Sequence, residues 1–261
     1  MTRILNKIRE LAKYRELLRN LVIRDIKVRY KRSVLGFLWV MLNPLLMMLV
    51  LDVVFSGLFK VSTKNYTAYL LSGIILWNFF SQSTSTALNG FIGNSNLIKK
   101  VALPKAIFPL SMIISAVIHF IFSLVPLFAI FLITGTPVSG NIYLLPFIIV
   151  IVSMFSYGVA LILSTMTVFF HDTRYIYDVL LLAWMYLTPI FYPASIIPQK
   201  IIFVLRLNPL YYFLEAFRAS LYMDIPGLPV KLLLGSFFAV VFYVIGWLYY
   251  SRYKEKMVYY L

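Results

Sequence analysis

The chain has 261 residues, of which 62% are hydrophobic and only 13% carry a charged side chain. A soluble domain of this length exposes many of its residues to water and cannot bury so much apolar surface, so the composition excludes a soluble globular protein. The absence of cysteine excludes disulfides, thiol catalysis and cysteine metal sites. Because the apolar residues occur in runs that match the roughly 30 Å hydrocarbon core of a bilayer, we predict an all-α polytopic membrane protein.

The first 32 residues hold eleven basic and three acidic side chains. A basic segment beside spanning helices indicates a cytoplasmic surface held against anionic headgroups rather than a nucleic-acid site. Apolar side chains recur there at helical spacing, at Ile4, Ile8, Leu11, Leu18 and Val22. We therefore predict that residues 1–33 form an amphipathic cytoplasmic interface segment, with an ordinary solvated helix as the alternative. The segment lacks the uninterrupted apolar core of a cleavable signal peptide.

Six predominantly apolar stretches follow and predict six spanning helices. They cover residues 34–59, 66–89, 106–134, 141–170, 175–190 and 230–250. With the N-terminus inside, the inner segments carry 18 Lys and Arg residues and the outer segments carry five. This asymmetry follows the positive-inside rule, so we expect both termini in the cytoplasm and one six-span domain over residues 34–261.

The second stretch ends in a polar run, Ser-Gln-Ser-Thr-Ser-Thr over residues 81–86. Hydroxyl side chains in a spanning helix can bond to their own backbone and pack between helices. They can equally form the water-accessible face of a translocation path. The sequence leaves both interpretations open.

The connection over residues 188–229 is too apolar for a solvated loop, yet it is interrupted by Pro189, Pro193, Pro198 and Pro209. Each half is too short to cross a bilayer. Short apolar pieces broken by proline predict a re-entrant hairpin before the last span, because protein or a water-filled cavity can satisfy the freed backbone groups. A loop lying in the interface is the alternative.

Three stretches carry a resemblance to a known family. They are residues 24–39 (RDIKVRYKRSVLGFLW) with Asn43-Pro44-Leu45, residues 170–174 (FHDTR) with residues 188–193 (TPIFYP), and Ile197-Pro198 with Asn208-Pro209-Leu210 and Phe217-Arg218. In this order and spacing the chain resembles the ABC-2 type transporter permeases, and among them the O-antigen, capsule and teichoic-acid polysaccharide exporters. His171 departs from the pattern, where an Arg-Asp pair is expected, so position 171 is assigned no ionic role.

The resemblance implies a homodimer of this subunit with twelve spans, bound to two copies of a separate cytoplasmic nucleotide-binding ATPase subunit. It implies a multi-pass protein of the bacterial inner (plasma) membrane, whose substrate is a glycan on an undecaprenyl diphosphate carrier. No cofactor is expected in this chain, and ATP and Mg²⁺ are expected on the partner subunit. An ABC-2 drug or lipid exporter, and a channel that works without a partner, are the alternatives.

The sequence contains no G-x-x-x-x-G-K-[ST] loop that could cradle nucleotide phosphates, so ATP must act through a partner. The inner segment over residues 90–105 resembles the coupling helix of the family, which docks on the ATPase. The predicted coupling residues are Asn94, Ser95, Asn96, Leu97, Ile98, Lys99 and Lys100. A basic loop that serves only membrane topology is the alternative.

The chain is not expected to be an enzyme or to hold a metal. A membrane hydrolase or transferase needs several His, Asp or Glu side chains at one depth. Only two histidines are present. His119 falls in the middle of the third stretch and His171 at the inner face, so they are not expected to meet. We predict that His119 is a neutral, hydrogen-bonded packing residue, with a role facing the transport path as the alternative.

Two further groups complete the predicted site. A basic inner rim is expected to attract the carrier diphosphate: Arg24, Lys27, Arg29, Lys31 and Arg32. Aromatic side chains stack on sugar rings, and the candidates for the channel wall are Trp39, Trp77, Phe79, Phe80, Trp184, Tyr186, Phe191 and Tyr192. Core packing is the alternative for each of them. Five tyrosines are assigned to interfacial belts: Tyr66, Tyr69, Tyr143, Tyr249 and Tyr250.

Overall fold

The computed structural model describes residues 14–54, 65–101, 103–193 and 202–261, and within these ranges the chain is helical without β-strands. The α-helices are α1 (Arg15–Arg29), α2 (Trp39–Asp52), α3 (Tyr66–Ala87), α4 (Ser95–Lys100), α5 (Ile107–Thr134), α6 (Leu145–Phe169), α7 (Thr173–Tyr186), α8 (Ile202–Leu207), α9 (Pro209–Leu221), α10 (Leu228–Tyr253) and α11 (Met257–Tyr260). Short 3₁₀ turns precede α2, α4 and α6, at Gly36–Leu38, Ile92–Asn94 and Gly140–Leu144.

Among the described helices, three are long and apolar enough to cross a membrane: α5, α10, and α6 together with the turn before it. The 28 residues of α5 extend for about 42 Å at 1.5 Å per residue. Helix α3 has 22 residues, but its polar last third lowers its overall hydropathy. Helix α2 is apolar and shorter.

Local sequence explains where several helices begin and end. Gly135 adopts a left-handed backbone with φ +62° at the end of α5, and the Thr136 N–H then bonds to the Phe131 carbonyl at 2.9 Å. Helix α9 starts with Pro209, and the Asn208 side chain before it accepts the Leu210 N–H at 3.0 Å.

The main core surrounds α3, which packs against α2, α5, α6 and α9. Helix α9 is buried along most of its length, so the part of the proline-broken connection that follows Pro209 is not a solvated loop. A second core joins α1 and α4 to the ends of α10 and α11, through Leu21, Ile98, Tyr250 and Met257.

Helices α6 and α10 touch through their backbones. A Cβ atom on Gly158 would lie 2.5 Å from the Phe242 backbone, and one on Gly246 would overlap the Gly158 carbonyl oxygen. Glycine at both positions therefore permits a crossing closer than any side chain allows.

The helix boundaries follow the predicted stretches with one informative difference. Helix α3 begins at Tyr66, as the second stretch does, whereas the fifth stretch was expected to continue to residue 190 and α7 ends at Tyr186. The chain turns at Thr188-Pro189-Ile190, because proline disfavours helix at the residue before it. Parts of three predictions lie outside the described residues: residues 1–13 of the interface segment, residues 55–59 of the first stretch and residues 194–201 of the hairpin.

Candidate functional site

A cavity of about 200 Å³ lies between α1, α2, α3 and α5. Its lining mixes aromatic rings with hydrogen-bonding side chains, namely Arg29, Tyr30, Trp39, Asn43, Asn78, Phe79, Gln82, His119, Phe120 and Ser123. Such a lining provides donors, acceptors and ring faces in one place, which is the chemistry that recognises a sugar or a phosphate group.

Arg29 connects three helices at this cavity. Its Nη1 donates to Gln82 Oε1 at 3.0 Å and lies 3.4 Å from His119 Nδ1. Arginine can only donate, so Nδ1 of the imidazole acts as the acceptor and the proton of neutral His119 resides on Nε2. That nitrogen is buried and finds no hydrogen-bond partner among the described residues. His119 therefore combines ring packing against Tyr30 with one unused donor.

The other rim residues are exposed on α1 and on the turn that follows it. Lys27, Lys31 and Arg32 point away from the core, whereas Arg24 bonds to Asp25 at 3.1 Å. All five predicted rim residues thus lie within one helix and its end. Their role toward a diphosphate stays a prediction.

The predicted coupling residues form a 3₁₀ turn that continues into α4. Asn94 is buried; its Oδ1 accepts from Arg24 Nη1 at 3.0 Å, and its Nδ2 donates to the Gly90 carbonyl at 2.8 Å. Ile98 inserts into the second core, while Lys99 and Lys100 are exposed. The segment is therefore anchored on one face to α1 and open on the other.

The polar run at the end of α3 is divided between two environments. Ser83 and Thr84 are fully buried and donate to the Phe80 carbonyl at 2.9 and 2.7 Å, and Thr84 accepts the Tyr177 hydroxyl at 2.6 Å. Gln82 is exposed and lines the cavity. Both interpretations of the run therefore apply to part of it. Ser83 and Thr84 pack between helices, whereas Gln82 has access to the cavity.

A buried arginine organises the turn between α7 and the hairpin. Arg218 on α9 is fully buried, and its guanidinium donates to the carbonyls of Tyr69 (3.1 Å), Pro189 (2.9 Å) and Ile190 (3.2 Å). Charge-assisted bonds to carbonyl oxygens compensate for its removal from water. The side chain therefore joins α3, α9 and the turn.

Tyr66 and Tyr69 support the same turn from α3. Tyr66 donates to the Phe191 carbonyl at 2.7 Å, and Tyr69 contacts the Tyr192 carbonyl at 2.7 Å and the Pro189 carbonyl at 2.9 Å. Both rings are buried, so their assignment to an interfacial belt was wrong. The belt interpretation rested on position near a helix end, and nothing local in the sequence indicates that these hydroxyls face the chain interior.

The predicted channel aromatics occupy different environments within one copy of the chain. Phe79, Phe80 and Phe191 are buried, and Trp184 packs edge-on against Phe80 at 5.1 Å. The remaining ones are partly or largely exposed: Trp39, Trp77, Tyr186 and Tyr192. Their role in lining a passage stays a prediction.

His171 is exposed at the start of α7, away from the buried His119, and the described residues contain no cluster of three acidic or histidine side chains that could hold a metal ion.

The cavity and the predicted coupling residues 94–100, called the coupling segment below, are connected through α1. Arg29 contacts the cavity and Arg24 contacts Asn94, so a single helix joins the cavity to the predicted coupling residues.

The chain matches the ABC-2 type transporter family over residues 16–222. It is 34% identical over 203 residues to the O-antigen export system permease protein RfbA of Klebsiella pneumoniae, covering 77% of this chain and 78% of that protein. It is 30% identical over 251 residues to the RfbA protein of Myxococcus xanthus, covering 95% and 96%.

A more distant relative is the capsule polysaccharide export inner-membrane protein CtrC of Neisseria meningitidis serogroup A. The two are 25% identical over 208 residues, which cover 78% of each chain. The family match extends from α1 through α9 and so includes the cavity, the coupling segment and the turn held by Arg218. The chain belongs to the ABC-2 type transporter family.

Proposed function

We propose that this chain is the membrane permease subunit of an ABC exporter that moves a lipid-linked polysaccharide across the bacterial inner membrane. The observation that carries the proposal is the nearly full-length similarity to a protein named as an O-antigen export permease. A separate ATPase subunit drives the transport, and the carrier is undecaprenyl diphosphate. The cavity beside Arg29, with its aromatic and amide lining, supplies chemistry that fits such a substrate.

In the proposed topology, the six stretches predicted from the sequence each cross the membrane, with α2, α3, α5, α6, α7 and α10 as their helical parts, and both termini are cytoplasmic. Residues 1–33 lie along the inner surface, residues 34–261 form the transmembrane domain, and residues 188–229 form a re-entrant hairpin. The burial of α9 and the basic inner segments support this arrangement. The turn held by Arg218 gives the hairpin a fixed base.

Two copies of the chain form the exporter in this proposal, with the passage between their first and fifth spans. The outward faces of α2 and α7 support it, because both helices leave large apolar side chains exposed: Leu46, Leu49 and Val50 on α2, and Ile176, Val179 and Leu180 on α7. A second copy covers these faces, and the exposed aromatics at Trp39 and Tyr186 border the passage.

The mechanism follows from the links through α1. The exposed rim on α1 attracts the diphosphate at the inner membrane surface, while the lipid tail stays in the bilayer. ATP binding in the partner pushes on α4, and the Arg24–Asn94 contact transmits the displacement to α1. Arg29 then shifts relative to Gln82 and His119, which opens the route from the cavity into the passage.

The test is co-purification of the chain with its ATPase in lipid nanodiscs, followed by measurement of ATP hydrolysis with and without lipid-linked glycan. We expect hydrolysis to rise with the glycan and not with drugs or ordinary phospholipid. Stimulation by a drug instead would identify a drug exporter, and glycan passage without any ATPase would identify a channel.

The rim is tested separately with Arg29→Gln combined with Lys31→Gln, which should reduce export while the chain still inserts. Insertion and orientation are checked by protease protection, since these charges also orient the first span. Full export by a correctly oriented double variant contradicts the role of the rim.

A further inference from the structure

A second and larger cavity, of about 650 Å³, lies outside the site described above, between the end of α4, Val101, residues 103–106 and the end of α10. We name it the lysine pocket, because four of its lining side chains are Lys99, Lys100, Lys105 and Lys254. Its volume falls within the range of about 300–1,000 Å³ that is typical of small-molecule sites. Tyr14, Trp247 and Tyr250 line it as well, and Glu255 is the acidic side chain of the lining.

The positive charge of the lysine pocket is poorly compensated. Within the described ranges, none of its four ammonium groups lies within 4.0 Å of a carboxylate oxygen. Lys105 and Lys254 are half-buried, and Lys105 Nζ donates to the Lys254 carbonyl at 2.6 Å. Burial and the charge of Lys254 lower the pKa of Lys105, and the opposing effect of Glu255 does not offset them. A bound anion would relieve this repulsion.

One wall of the lysine pocket is preformed by hydrogen bonds within the chain. The Ala106 N–H donates to Tyr250 Oη at 3.1 Å, and the Tyr157 hydroxyl donates to the Ala106 carbonyl at 3.1 Å. Two tyrosines from two helices thus fix the backbone beside Lys105. A ligand that enters finds a preformed surface and does not have to order it.

An apolar surface leads away from the pocket along α10. Only 11% of the most apolar 18-residue window of α10 is buried within the chain, and Val240, Val244 and Leu248 are exposed at helical spacing on one side of it. Trp247, which lines the pocket, lies beside them in the sequence. A cationic pocket at the end of an exposed apolar stripe matches the two parts of a phospholipid.

We propose that the lysine pocket binds the phosphate headgroup of an anionic membrane phospholipid, whose acyl chains lie along the exposed face of α10. The inference uses the proposed orientation, which places this end of α10 at the cytoplasmic surface where anionic headgroups accumulate. A basic pocket between helices with aromatic rings at headgroup depth is the arrangement that recognises such lipids. The proposed lipid site does not depend on which substrate is exported.

The position beside α4 gives the lipid a role. The pocket shares Ile98, Lys99 and Lys100 with the coupling segment, so a headgroup held there limits how far α4 moves away from α10. The lipid is therefore expected to stiffen the connection through which an ATPase partner acts. In this way the charge of the bilayer would set the efficiency of coupling.

The test uses the full chain purified alone in detergent, titrated with phosphatidylglycerol or phosphatidylcholine and followed by native mass spectrometry. We expect the wild type to retain phosphatidylglycerol more strongly. Lys254→Gln should raise the phosphatidylglycerol concentration for half occupancy about fivefold, since one basic residue near the surface contributes roughly 1 kcal/mol. Lys254→Arg should restore binding, and Lys256→Gln, an exposed lysine that does not line the pocket, should leave it unchanged.

Ser251→Glu offers an independent variant, because it adds a carboxylate to the pocket lining and should also weaken phosphatidylglycerol binding. Equal retention of the two lipids by the wild type, or equal effects of Lys254→Gln and Lys256→Gln, would overturn the proposal. Displacement of the lipid by inorganic diphosphate would show that the pocket takes a soluble anion instead.

If the Lys254→Gln chain binds phosphatidylglycerol normally but no longer co-purifies with the ATPase, the pocket belongs to that partner and the lipid site is overturned. Selective lipid binding by a chain that exports no glycan would leave the lipid site standing and reject the proposed function. The two conclusions therefore fail separately.

Discussion

The Arg218 guanidinium lies over the Tyr69 ring, with its central carbon 3.5 Å from the ring centroid, while its Nη2 donates to the carbonyl of the same tyrosine at 3.1 Å. Tyr69 thus contacts the guanidinium through both its ring and its backbone carbonyl. Since the Tyr69 hydroxyl reaches back to Tyr192, the two side chains enclose the turn at Pro189. Loss of either is expected to release the base of the hairpin.

Arg218→Leu removes the guanidinium donor from the buried carbonyls of Pro189 and Ile190, and among the described residues only Pro189 keeps a second contact, with the Tyr69 hydroxyl. Each unsatisfied buried acceptor costs about 1–3 kcal/mol, so we expect one of the largest losses of stability of any single substitution in the chain. Thermal unfolding in detergent measures it. Arg206→Leu, at an exposed arginine of α8, is the matched control and should change little. An Arg218→Leu protein as stable as the control would contradict the role of the buried guanidinium.

Tyr69→Phe keeps the ring beneath Arg218 but removes the hydroxyl that contacts Pro189 and Tyr192. We expect a loss of about 1 kcal/mol, the usual net value of such a hydrogen bond. The measurement is thermal unfolding together with protease cleavage of the turn. Tyr143→Phe, at a tyrosine that is 72% exposed, should behave as wild type. Equal behaviour of the two variants would show that the Tyr69 hydroxyl is dispensable.

Gly246→Ala should force α6 and α10 apart, because the added Cβ overlaps the Gly158 carbonyl, and backbone cannot move aside as a flexible side chain can. The expected cost is about 1–3 kcal/mol, as for other overpacked sites. Gly140→Ala adds the same methyl group where nothing lies within 4 Å and should be neutral. Unfolding temperatures of the two variants in detergent decide the matter, and identical values would reject a close backbone crossing.

Asn94→Ala removes the acceptor for Arg24 and the donor to Gly90. A hydrogen bond to a charged group contributes about 1.5–3 kcal/mol, so α1 should separate from the coupling segment. We expect an assembled complex whose ATP hydrolysis no longer responds to lipid-linked glycan. Asn20→Ala, on the exposed side of α1, is the control. Normal stimulation in the Asn94→Ala complex would show that coupling bypasses this contact.

The sequence predicted those features of the fold that depend on local pattern. Long apolar runs located α3, α5, α6 and α10. Contacts between distant residues were not accessible in this way. Arg218 and Tyr69 are 149 residues apart, and only the packed structure shows that the arginine is buried.

In the candidate site too, features of local pattern were predicted and contacts between distant residues were not. Basic residues on α1 were singled out from charge and resemblance, but the partners of Arg29 were not, because Gln82 and His119 lie 53 and 90 residues away along the chain. His119 was expected to be a packing residue or to face the transport path; it packs against Tyr30 and also lines the cavity. No pattern in the sequence could indicate that its Nδ1 accepts from an arginine.

The contact between Gly158 and Gly246 also limits where the protein can change shape. At the crossing itself no side chain separates the two backbones, so α6 and α10 cannot shift there by repacking side chains, and we expect the pair to move as one rigid unit. Rearrangement during a transport cycle is then expected in helices that leave large faces exposed, such as α2 and α7. Labels on α2 and α7 are expected to report large displacements, whereas a pair of labels across the glycine crossing should report a constant separation.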